Sequence, residues 1–119
     1  MSGQLERGAV VSVRFDPVVG REIRKTRPAV VVSNNAACRF DAVLQVVPVT
    51  GLPERELRPY EARVESPESG LAKPSRLVAN QIRTVSRKRI GRVLGWLDTS
   101  EEADLDRALK IQLALGSDF

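Results

Sequence analysis

No histidine occurs anywhere in the 119 residues, and Cys38 is the single cysteine. These two shortages remove whole classes of chemistry. A Ser-His-Asp triad and a Cys-His nucleophilic pair are excluded, as is any imidazole acid–base step. A conventional zinc site lacks its ligands, and no disulfide can close within one chain. No metal and no cofactor are expected. Cys38 reads as a small, partly buried side chain with no reactive role. Aromatic residues make up only 4% of the chain, so aliphatic side chains must build most of the core. No apolar run approaches the roughly 20 residues that a membrane-spanning helix needs. The first residues, from Met1 to Arg7, carry no apolar signal-peptide core, and a cytoplasmic location is the expectation.

Negative charge is missing from one long stretch. Between Ser69 and Leu97 there is no acid, while Lys73, Arg76, Arg83, Arg87, Lys88, Arg89 and Arg92 give that segment +7. Residues 1–68 hold ten basic and nine acidic side chains, and residues 98–119 hold six acids against Arg107 and Lys110. The net charge of +4 therefore hides a basic stripe followed by an acidic end. Such a stripe is an electrostatic footprint for a polyanion, most commonly nucleic acid. A solvated face balanced by the acidic end explains the charge equally well, so charge alone does not decide.

What is present is 42% hydrophobic and 29% charged, with seven prolines and eight glycines. That composition suits a folded chain with several turns, and the length suits one domain, residues 1–119. Gly8 to Phe15 alternates Val11, Val13 and Phe15 with Ser12 and Arg14, the pattern of a strand with one buried face. Asp16-Pro17 ends it, and a polar loop runs to Arg27-Pro28. Ala29 to Ser33 is a second strand, and Ala36 to Phe40 a short helical turn after Asn34-Asn35. Ala42 to Thr50 is a third strand, in which Pro48 implies an edge or a bulge because it cannot donate to a ladder. Further strands are expected at Tyr60 to Val64, Arg76 to Val85 and Ile90 to Leu97, with Trp96 in the core. Ser100 is placed to cap a helix whose first turn holds Glu101 and Glu102. Leu105, Ala108, Leu109, Ile111, Leu113 and Leu115 give that helix a broad apolar face, and Gly116 stops it. Five or more short strands and one terminal helix predict a mainly-β chain, a small barrel or barrel-like sheet with the helix packed on it.

The chain is organised around Lys25-Thr26-Arg27-Pro28 and the β-branched run that follows. Pro28 fixes its own φ and pushes Arg27 towards an extended conformation. A guanidinium thus stands at the mouth of an interior strand, where arginine grips phosphates or carboxylates. For an isolated Arg-Pro a surface ion pair is the simpler reading. Here the surrounding motifs shift the balance.

Those motifs come in a fixed order: Arg7-Gly8; Asp16-Pro17-Val18-Val19-Gly20-Arg21-Glu22; Lys25-Thr26-Arg27-Pro28-Ala29-Val30-Val31-Val32-Ser33; Val46-Val47-Pro48-Val49-Thr50; and Asn80-Gln81-Ile82-Arg83-Thr84-Val85. In this combination the sequence resembles the MazF/PemK/Kid family of bacterial toxin–antitoxin endoribonucleases, over most of residues 7 to 92. The resemblance implies a small SH3-like β-barrel of the PemK/Kid–CcdB type with a C-terminal α-helix. It implies a homodimer with single-stranded RNA along a groove and a cognate antitoxin whose acidic C-terminal segment takes the same groove. It also implies sequence-selective, metal- and ribosome-independent cleavage by 2′-OH attack, leaving 2′,3′-cyclic phosphate and 5′-OH ends.

Residue by residue, the resemblance makes Arg27 and Thr50 the catalytic pair. Arg27 suits the stabilisation of charge on phosphoryl oxygens, and the Thr50 hydroxyl can bind a phosphate oxygen or orient the 2′-OH. Without the resemblance Thr50 reads as an ordinary strand-end residue. The Kid-type branch carries a histidine where this chain has Arg21, an arginine at Val78 and an aspartate at Asn80, so the chain resembles the branch relying on the Arg27 and Thr50 positions. Glu22 is the nearest loop carboxylate. Arg21, Glu22, Arg24, Lys25, Asn34, Gln81 and Arg83 are the candidate RNA contacts, with barrel-edge structure an equal reading for the last two. Arg87, Lys88 and Arg89 form a phosphate-steering face. The competing reading is a non-catalytic binder on the same barrel, either a nucleic-acid-binding module or a gyrase-inhibiting toxin.

Overall fold

The computed structural model describes residues 4–15 and 26–116. Along them run β1 (Ala9–Val13), β2 (Arg27–Val31), α1 (Asn35–Phe40), β3 (Val43–Gly51), β4 (Glu61–Val64), β5 (Ser75–Val78), β6 (Arg83–Ser86), β7 (Ile90–Trp96) and α2 (Thr99–Leu113). Every strand pairing is antiparallel. The hydrogen-bonded path is β4-β5-β3-β2-β1-β7, with β6 added to β3. Its two ends, β4 and β7, share no ladder among the described residues. The expected mainly-β, barrel-like architecture with a C-terminal helix is what the chain forms.

β3 is the hub. One edge takes β2, and the other takes first β6 and then β5. The stretch expected as one strand from Arg76 to Val85 is two strands, parted by a 3-10 turn at Ala79–Gln81. Pro48 supplies the reason. Val32 N donates to Gln45 O at 3.0 Å on the β2 side, so the even-numbered residues of β3 face the β5/β6 edge. Pro48 is one of them and has no N–H to offer. The neighbouring chain leaves β3 between the pairs Val46↔Arg83 and Val49↔Leu77, making its turn beside the proline. Pro48 does mark a bulge, but the partner chain carries it.

Alternation along the strands builds two cores. Val10, Val30, Val47, Val49, Ala62, Val64 and Leu77 pack with Leu105, Ala108 and Leu109 of α2. Ala9, Val11, Val13, Ala29, Val31, Leu44, Val46 and Val85 pack on the opposite face with Cys38. Cys38 is fully buried, not partly so, and burial pushes its thiol pKa up.

Three other expectations change. Trp96 is 39% exposed because β7 is a terminal strand with one neighbour, β1. The apolar face of α2 is narrower than the sequence pattern suggests, since Leu113 and Leu115 are 46% and 54% exposed. The helix ends at Ala114, which takes φ 56 as its cap, so Leu115 lies outside it. The N-terminal cap is Asp98, not Ser100. Its side chain accepts from Glu101 N, while Glu101 accepts from Asp98 N in a reciprocal capping box.

Candidate functional site

Pro28 opens the sheet at one point. Gly8 N donates to Val31 O at 2.8 Å on the β1 side, and Val32 N bonds Gln45 O on the β3 side. The alternation of an antiparallel strand then turns residue 28 towards β3. With no N–H there, the β2–β3 ladder ends at Ala29↔Pro48. Continued two residues further, its register sets Arg27 across from Thr50. Both side chains are exposed, and neither makes a hydrogen bond or ion pair with another described residue. Arg27 is anchored through its backbone pairing with Val13 in β1.

The surrounding residues follow from the same alternation. Arg27 continues the face of Ala29 and Val31, Thr50 and Pro48 that of Val46 and Leu44, Phe15 that of Val13, and Arg83 that of Val85. The second core runs out here, and its face carries on as a polar floor. Arg83 stacks its guanidinium over the Phe15 ring, 4.8 Å from the centroid, a favourable cation–π geometry. Phe15, Arg27, Pro48, Gln81 and Arg83 line a cavity of about 270 Å³. Gln81 reaches it from the 3-10 turn that Pro48 imposes. Phe15 and Pro48 were missing from the sequence-derived site. Counting every second residue outward from Val13 and Val46 of the second core finds both.

The chain beyond Thr50 is held by a buried carboxylate. Glu61 accepts from Arg55 Nη1 and Nη2 at 2.9 and 3.1 Å and from Arg58 N at 2.9 Å. Arg76 Nη1 lies 3.2 Å from Oε2, the oxygen that also accepts from Arg55 Nη2. The Arg55 fork is the main reason that the Glu61 pKa falls from 4.5 to about 2, with the Arg58 N–H and the Arg76 charge adding to it against the cost of burial.

Other candidates lie elsewhere. Asn34 caps α1 by accepting from Ala37 N at 2.8 Å. It lines a separate groove of about 590 Å³ with Arg7, Ser33, Gln45, Leu109 and Leu113, so it does not join the Arg27 cavity. Arg21, Glu22, Arg24 and Lys25 lie outside the described residues. Arg87 is not a free steering charge. It donates to the carbonyls of Ala37, Cys38 and Asp41 and so closes the C-terminal end of α1. Arg89 Nη1 donates to Arg14 O at 3.0 Å, which leaves Lys88 as the exposed member of that triplet. Among the described residues, no cluster of three or more Cys, Asp or Glu side chains is placed to hold a metal ion.

Residues 6–113 match the profile of a family described as PemK-like, MazF-like toxin of type II toxin–antitoxin system. The chain is 36% identical over 118 residues to endoribonuclease MazF9 of Mycobacterium tuberculosis, covering 95% of this chain and 99% of that protein. A mycobacterial endoribonuclease solved in complex with its cognate antitoxin superposes with a TM-score of 0.78 at 23% identity, over 95% of this chain and 98% of the other. A MazE–MazF complex from Deinococcus radiodurans gives 0.76, also at 23% identity, over 95% and 98%.

Proposed function

The chain belongs to the PemK-like, MazF-like family of type II toxin–antitoxin toxins, and from that footing we propose that it is a toxin that cleaves single-stranded RNA without a metal ion. The observation that carries the chemistry is the opposition of Arg27 and Thr50 at the open end of the β2–β3 pair. The reacting groups belong to the RNA. Its 2′-OH attacks the adjacent phosphorus, the P–O5′ bond breaks, and the products are a 2′,3′-cyclic phosphate and a 5′-OH. Negative charge builds on the non-bridging oxygens. Arg27 presents a planar, positively charged fork to those oxygens. Thr50 binds a phosphate oxygen or orients the 2′-OH from the opposite strand. Strand pairing fixes the backbones of both residues, Arg27 against Val13 and Thr50 against Arg76.

The cavity beside them is large enough to receive a base next to the reacting phosphate. Phe15, Gln81, Pro48 and Arg83 offer it an apolar wall, an amide and a guanidinium, which favours sequence selectivity. The reading includes two partners: a cognate antitoxin, as in the solved complexes of its structural neighbours, whose acidic C-terminal segment competes for the same basic surface, and a second copy in a homodimer. The site of action is the cytoplasm. No helix among the described residues is long and apolar enough to cross a membrane.

The test is incubation of a long mixed-sequence RNA with the protein in EDTA, beside a DNA copy of the same sequence. Discrete cuts in RNA alone, with 5′-OH ends, are expected. Intact RNA that the protein still binds overturns the enzymatic reading in favour of a non-catalytic toxin on this fold, with DNA gyrase the next target.

A further inference from the structure

We infer that the substrate's backbone is held by a row of side chains crossing four strands, Arg27–Thr50–Arg76–Arg63, of which the last two are new phosphate-binding residues. The inference rests on the reading of Arg27 and Thr50 above and extends it. In the β3–β5 ladder Thr50 is paired with Arg76, and in the β4–β5 ladder Arg76 is paired with Arg63. Directly opposed residues turn their side chains to one face of the sheet. Arg27 faces Thr50 from the other side, and β2, β3, β5 and β4 are consecutive neighbours. With strands about 4.8 Å apart, three guanidiniums and one hydroxyl lie along a line of about 14 Å.

The two added arginines keep capacity for a phosphate. Arg63 meets Glu65 at 3.5 Å with both side chains about half exposed, a pairing worth little in water and easily exchanged. Arg76 is only 19% exposed and is steadied by Glu61 at 3.2 Å. Glu61 is already served by Arg55 and the Arg58 N–H, and Arg76 Nε and Nη1 have no hydrogen-bond partner among the described residues. Those two nitrogens are buried against Glu61, so it is the remaining, 19% exposed part of the Arg76 side chain, one strand from Thr50, that is open to an oxygen of the next phosphate. An acidic peptide offers similar charges, but the row starts at the pair proposed to act on a phosphodiester, and a single RNA strand must leave that point along some line of positive charge.

The test is binding of an uncleavable 2′-O-methyl RNA oligonucleotide, followed by fluorescence anisotropy at several NaCl concentrations. For single strands, each neutralised phosphate contributes about 0.7 to the slope of log K against log salt. Arg76→Gln and Arg63→Gln are each expected to lower the slope by about 0.7, and the double variant by about 1.4. Arg76→Lys keeps the wild-type slope, as does Lys110→Gln, which removes a charge from α2. If Arg76→Gln fails to fold, the exposed Arg63→Gln and the charge-preserving Arg76→Lys still decide the matter. Unchanged slopes in the glutamine variants overturn the inference. So does weakened binding of a polyglutamate peptide with RNA binding intact, which gives the row to an acidic peptide. A wild type that cleaves RNA while these slopes stay flat removes the row alone. A wild type that neither binds nor cleaves removes the site reading with it.

Discussion

Glu101, in the first turn of α2, accepts hydrogen bonds from the backbone N–H groups of Glu65 at 2.8 Å and Ser66 at 2.9 Å. The same carboxylate accepts from Ser66 Oγ at 2.7 Å and from Asp98 N at 3.1 Å. Burial pushes its pKa up, yet these bonds outweigh burial and hold the carboxyl below its ordinary value. One side chain thereby caps the helix and fastens it to the chain leaving β4. Glu101→Ala leaves Glu65 N and Ser66 N without this acceptor, and a loss of about 2 kcal/mol in urea unfolding is expected. Cleavage by the surviving folded fraction should be unaffected.

Glu61 sets a pH dependence. Its folded pKa of about 2 lies below the ordinary 4.5, so its contribution is complete above about pH 4.5 and is lost as pH falls towards 2. The shift corresponds to about 3 kcal/mol. Wild type and Glu61→Gln should differ by about that amount at neutral pH and converge in acid. A difference that persists unchanged at the acid end contradicts the ionised network.

Arg87 serves as a cap, so its removal should act on stability. Arg87→Ala is expected to cost about 1–2 kcal/mol, from the unsatisfied carbonyls at the end of α1, with no change in the salt dependence of RNA binding. A lowered salt slope instead would return Arg87 to the phosphate-contacting surface.

Arg83 touches the candidate base cavity without touching the reacting pair. Arg83→Met should raise KM for RNA by about tenfold, equivalent to about 1.4 kcal/mol, and leave kcat within a few-fold of the wild type. An equal fall in kcat with KM unchanged would place Arg83 in the transition state.

Alternation of Val11 and Val13 with Ser12 and Arg14 made β1 legible, while β2 and most of β3 were legible as short runs rich in β-branched residues, bounded by Arg27-Pro28, Asn34-Asn35 and Gly51. What it missed depends on partners distant in sequence. The break at Ala79–Gln81 follows from which edge of β3 Pro48 faces. The exposure of Trp96 follows from the end position of β7. Asp98 took the cap from Ser100 because Glu101 two places inward of Thr99 could answer it and also reach Ser66. Of the site, Arg27 stood out through its proline, but Thr50 was visible only through the family resemblance. Phe15 needed the alternation extended past Val13, and the row through Arg76 and Arg63 exists only once strand registers are known.

The central claim is that Arg27 and Thr50 act on one phosphodiester, and a double-mutant cycle tests it most directly. Single-turnover cleavage of RNA would be measured in EDTA for wild type, Arg27→Ala, Thr50→Ala and the double variant, with fragment ends mapped. Arg27→Ala should lose about a hundred- to thousandfold in rate, and the double variant should fall far short of the product of the two single losses. Wild-type rates in Arg27→Ala, or single losses that multiply in full, would contradict the shared site.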